Sequence, residues 1–205
     1  VMKKYIWLIA ILLLLIVAGF ILKLTYNFVI QSRVNIEKAL ALLTEEFTPV
    51  KMKLSSSDGQ IKFQLKFYDQ QNNNIAAYND SITGNRLFVD FYIVKIEGKN
   101  LFFPYLVYSD IVPPSMGKKI YESYEKNFDG ILFPGIYSSD NMDDNFMNFI
   151  LQVWKAIKSG NIDFFSTQYH GNAVHLLNDI DRIDPNSVYS FICHTEKGGI
   201  EIVQQ

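Results

Sequence analysis

Three histidines and one cysteine are the residues of this 205-residue chain best suited to nucleophilic or metal chemistry. His170 and His175 stand five apart with Gly171 between them. A zinc-binding helix sets its histidines at i and i+4, so this spacing does not fit one. Cys193 and His194 are adjacent, and adjacent side chains of a strand point to opposite faces. They cannot serve each other as nucleophile and base. Cys193 shares its strand face with Tyr189 and Phe191, which predicts a buried, inert thiol. A cysteine–histidine site would have to pair Cys193 with His170 or His175.

The carboxylates offer less. Asp179, Asp181 and Asp184 resemble the start of a calcium loop. The sixth position of that loop needs Gly and holds Asp184; the twelfth needs a bidentate Glu and holds Ser190. Solvated turn carboxylates are the better reading. Asp140, Asp143 and Asp144 suit the start of a helix. No G-x-S-x-G, P-loop or G-x-G-x-x-G occurs. Asn79-Asp80-Ser81 matches a glycosylation acceptor, a pattern common by chance. The residues assign no catalytic, cofactor or metal role. The most unusual stretch runs from Leu101 to Tyr137 and is rich in aromatics and proline. Its Phe102, Phe103, Tyr105, Tyr108, Tyr121 and Tyr124 are either a covered core or a partner- or ligand-binding surface, because aromatic residues enrich at recognition surfaces.

The N-terminus constrains the setting. From Tyr5 to Leu22 the chain carries no charge. As a helix this segment is about 27 Å long, close to the hydrocarbon thickness of a bilayer. Lys3 and Lys4 precede it and Lys23 follows, so the positive-inside rule expects a cytoplasmic N-terminus and an extracytoplasmic domain. Val17-Ala18-Gly19 offers a peptidase an alternative, but cleavage there would expose an apolar new terminus. A lipoprotein anchor needs a cysteine after the run, and none is there.

All 21 acidic residues and 16 of the 19 basic ones follow Lys23, leaving that part at about −5. Such a balance predicts no electrostatic footprint for nucleic acid or an anionic lipid surface. A single cysteine excludes an internal disulfide, so a packed core must hold the fold.

The elements that position these residues follow from periodicity. Val29, Ile36, Leu40, Leu43 and Phe47, with Arg33 as the odd member, form a heptad-like seam and predict a stalk helix over residues 25–48, ended by Pro49. That helix packs on its own domain or on a second copy. Lys51–Ser56 and Ile75–Ser81 read as strands. Ile61–Phe67 alternates strictly between apolar and polar. Arg86–Ile96 is apolar on both faces and predicts a central strand. Glu97-Gly98-Lys99-Asn100 turns into Leu101–Tyr108, where Pro104 requires an edge or a bulge. Ile120–Phe128 is expected as a short helix.

Phe146, Phe149, Ile150, Val153, Trp154 and Ile157 form one apolar stripe and predict a helix over 142–159, capped by Asp140 or Asn141 and closed by Gly160. Residues 173–177 suggest a further short helix. Val188–His194 and Ile200–Val203 read as a final strand pair. The expectation is an α+β chain: a signal anchor over 1–24, a stalk over 25–48, and an extracytoplasmic domain over 49–205. That domain is expected as an antiparallel meander sheet, or a sandwich, with one amphipathic helix packed on it. The functions to weigh are an envelope interaction or scaffold protein, a tethered ligand-binding or sensory domain, and an extracytoplasmic hydrolase.

Overall fold

Strand alternation becomes structure when each strand finds partners that bury one of its faces. The computed structural model describes residues 17–23, 25–26, 34–57, 59–160 and 187–205, and the backbone of 169–177. After helix α1 (34–41) the chain enters β1 (Glu46–Ser57), β2 (Gln60–Tyr68) and β3 (Asn74–Thr83), an antiparallel meander. In β2 the expected alternation holds: Ile61, Phe63, Leu65 and Phe67 are buried, while Gln60, Lys62, Gln64 and Lys66 are exposed.

Beyond β3 the chain changes sheets. The Asp110 carboxylate accepts the Asn85 and Arg86 backbone N–H groups at 2.8 and 3.1 Å, and the Ser109 hydroxyl donates to the Thr83 carbonyl at 2.6 Å. This clamp starts β4 (Leu87–Ile96), which pairs with β5 (Lys99–Ser109). Their turn places Glu97 at φ 47° and Gly98 at φ 83°, the two positive angles of a type I′ hairpin. Pro104 lies at a bulge opposite Phe91, and the Tyr124 hydroxyl donates to its carbonyl at 2.7 Å.

A two-residue strand, β6 (Lys118–Lys119), joins β5, and a 3-10 turn spans Tyr121–Tyr124. The ribbon β7 (Glu125–Phe128) and β8 (Ile131–Pro134) leads through a second 3-10 turn, Gly135–Tyr137, to α2 (Asp144–Ser159). Then come β9 (Tyr169–Leu177), β10 (Val188–His194) and β11 (Ile200–Gln204).

The strands form a five-stranded sheet, β11-β10-β1-β2-β3, a four-stranded sheet, β6-β5-β4-β9, and the ribbon β7-β8. All their pairings are antiparallel, and the class is α+β. The two larger sheets share one core, where Phe91 of β4 meets Phe191 of β10 at 5.7 Å between ring centroids. Trp154 of α2 stacks on Phe103 of β5 at 5.3 Å and donates its indole N–H to Glu125 at 2.8 Å.

Several expectations need correction. The stalk helix does not reach 48: helix ends at residue 41 and the chain is extended from Glu46. Phe47 pairs with Cys193 in the ladder, and Pro49 sits at a β1 bulge, which spares a ladder hydrogen bond. Leu40, Leu43 and Phe47 are buried in the domain's own core, so that part of the seam presents nothing to a second copy. Val29 and Arg33 lie outside the described residues.

Residues 120–128 are a 3-10 turn and a strand, because β8 offers β7 a ladder across the Asp129-Gly130 turn. Residues 173–177 belong to β9, since the open edge of β4 supplies seven residues of that strand with a partner. The α2 cap is Asp143, whose carboxylate accepts the Phe146 N–H at 2.7 Å. Gly160 closes α2 at φ 69°, as expected. Among the described residues no helix is long and apolar enough to cross a membrane. Most of the 5–22 run lies outside them; at its end, residues 17–23 are helical, with Val17, Phe20, Ile21 and Leu22 exposed.

Candidate functional site

The residues first considered for chemistry separate when the chain folds. Cys193 is fully buried, and burial pushes its thiol well above the ordinary range. His194 points to the other face, with Nδ1 2.8 Å from a Glu46 carboxylate oxygen and Nε2 3.6 Å from one of Glu201. The side chains of His170 and His175, and residues 179–184, lie outside the described residues. Among those described, no group of three His, Cys, Asp or Glu converges to hold a metal ion.

The aromatic stretch mostly faces inward. Phe102, Phe103, Tyr121 and Tyr124 are buried, so a recognition surface made of all six candidates is not what the fold presents. Burial raises the Tyr124 phenol well above its usual value. Tyr105 and Tyr108 are half-buried. Tyr105 stacks on Tyr121 at 5.1 Å, and Tyr108 stacks on Phe88 at 4.9 Å.

The exposed face of the five-stranded sheet is different. Alternation in β1 buries Val50, Met52 and Leu54 and turns Lys51, Lys53 and Ser55 outward. The β1–β2 register places Lys51 opposite Lys66, Lys53 opposite Gln64, and Ser55 opposite Lys62. Across β2, Gln64 faces Asn79 and Lys62 faces Ser81. Four lysines therefore share one patch of a domain whose net charge is negative.

Like charges directly opposite one another on a sheet cost stability. Among the described residues no carboxylate pairs with Lys51, Lys53, Lys62 or Lys66. Lys51 leans over Tyr68, its ammonium 5.1 Å from the ring centroid. The nearby Asp80 is committed elsewhere, to Lys118 at 3.1 Å and to the Tyr78 hydroxyl at 2.7 Å. Those contacts lower the Asp80 carboxyl despite burial, while burial and Asp80 push the Tyr78 phenol up to about 12.

The patch has relief. A shallow hollow of about 530 Å³ lies over Lys53, Ser55, Lys62, Gln64, Asn79 and Ser81. A second, of about 400 Å³, adjoins it at Lys53 and Gln64 and runs over Lys51, Lys66 and Tyr68. Ammonium groups, side-chain amides and hydroxyls line both beside apolar side chains, and the Asp80 carboxylate, held by Lys118 and Tyr78, also borders the first. Ammonium, amide and hydroxyl groups can together hold an extended anion.

Sequence reasoning recorded the polar side of Ile61–Phe67 but missed this cluster. The spacing Lys51-x-Lys53 and Lys62-x-Gln64-x-Lys66 was visible; the register that sets them side by side was not. Comparison of the chain with protein-family models, with curated proteins and with solved structures finds no match.

Proposed function

We propose that the chain is a membrane-tethered, extracytoplasmic interaction domain that holds an anionic partner on Lys51, Lys53, Lys62 and Lys66. The observation that carries this reading is the four-lysine patch, in which no lysine is ion-paired to a carboxylate among the described residues. The charge-free run over residues 5–22 supports the tether. Binding rather than turnover is favoured because the one thiol is buried and neutral. A tethered ligand-binding domain is the second reading. The hollow over Lys53, Lys62 and Asn79 favours it, with a small anion as ligand.

The test uses the full chain in neutral phosphatidylcholine nanodiscs, titrated with inorganic polyphosphate by calorimetry. The account expects binding that weakens roughly tenfold to a hundredfold between 50 and 200 mM salt. The K53Q/K62Q/K66Q variant should bind at least tenfold less. Absence of binding at 50 mM salt, or equal affinity of parent and variant, would overturn it.

A further inference from the structure

We propose that the anionic partner is the phospholipid surface in which the chain is itself anchored, so that the domain lies with its lysine patch against lipid phosphates. This inference rests on the binding reading above and names its partner. Three observations favour lipid over a free polymer.

The first is proximity. The chain that follows the proposed tether joins the domain core at Leu40 and Leu43, and the next strand, β1, carries Lys51 and Lys53. At roughly 3.3 Å per residue, the patch begins within about 26 Å of Leu43. A bilayer holding residues 5–22 is thus already at high effective concentration.

The second is shape. The lysines stand side by side across two strands of one sheet face. Such a surface suits many headgroups more than one strand. The third is residue type. The patch is lysine without arginine. Lysine acts as a point charge and arginine as a bidentate fork, so the patch favours diffuse attraction over a fixed geometry.

The same face has an acidic end, where Glu46 and Glu201 flank His194. Glu201 lies on β11, two strands from β1 and three from β2. That is roughly 9 to 14 Å at ordinary strand spacing, beyond the Debye length of about 8 Å. At that separation its repulsion is largely screened and does not cancel the attraction.

The experiment reads the patch, because the anchor would hold the chain in any bilayer. Full-length chain at low density is reconstituted in phosphatidylcholine vesicles, with or without 30 mol% phosphatidylglycerol. Acetylation rates of Lys51, Lys53, Lys62 and Lys66 are followed by mass spectrometry, with Lys155 on α2 as internal reference. The expected result is at least threefold slower acetylation of the four in anionic vesicles, restored by 0.5 M salt.

Equal rates in both vesicles overturn the inference. If polyphosphate added to the neutral vesicles still protects the patch, only the lipid assignment has failed. If it does not, the binding reading fails too. Protection in neutral vesicles that grows with protein density would point to a second copy on the patch and would also overturn the lipid assignment. The K53Q/K62Q/K66Q variant, followed at Lys51, should lose its dependence on phosphatidylglycerol.

Discussion

Asp90 stands on β4 with 5% of its surface exposed, and among the described residues its Oδ1 has no hydrogen-bond partner. Burial pushes its carboxyl from the ordinary 3.8 up to about 6. Between those values the folded chain holds more protons than the unfolded one, so stability falls as the pH rises through this window and stays lower above it. Asp90→Asn removes the titration. It should raise stability by on the order of 1–3 kcal/mol at pH 8 and change it least near pH 4, as read by urea melts at both pH values. Equal effects at the two pH values would show that Asp90 is not strained by its burial. Cys193 gives a second residue-level prediction. A buried, neutral thiol should ignore Ellman's reagent in the native chain and react fully in denaturant, since only thiolates attack.

At the scale of elements, α2 and the β1–β2 pair make opposite kinds of prediction. Asp143→Ala removes the cap on the Phe146 N–H and should cost about 1 kcal/mol, seen as a lower melting temperature. Lys66→Glu should do the reverse, because it converts the Lys51–Lys66 like-charge pair into an opposite-charge one. A gain of roughly 0.2–1 kcal/mol is expected, together with weaker polyphosphate binding. A substitution that strengthens the fold while weakening binding separates the patch's functional role from a structural one. A loss of stability would mean that Lys66 has a structural partner.

These elements also mark where the sequence was legible. The α2 stripe and the alternation of Ile61–Phe67 are local periodicities, and both appear where expected. Residues 173–177 and 120–128 misled because non-local pairing with β4 and β8 overrode a short-range pattern. Phe47 misled because the heptad spacing continued while the chain had already entered β1. The lysine patch depends on register, which no single segment encodes.

For the whole molecule, two sheets meet on an aromatic core, and the side chains that looked most like a recognition surface are spent on that core. Phe91, Phe103, Tyr124, Tyr137, Trp154 and Phe191 close it without a disulfide. What remains for the proposed partner is a charged sheet face on β1 and β2, the first strands after α1. The acidic total of the chain hid that face, because net charge averages over surfaces that never meet the same partner. Both the proposed binding and its lipid assignment presuppose that residues 5–22 hold the chain in a bilayer. Alkaline carbonate extraction of membranes carrying the full-length chain tests this most directly. The account predicts that the chain stays in the pellet at pH 11 and is released only by detergent. Release into the carbonate supernatant, with residues 5–22 shown intact by mass spectrometry, would contradict it.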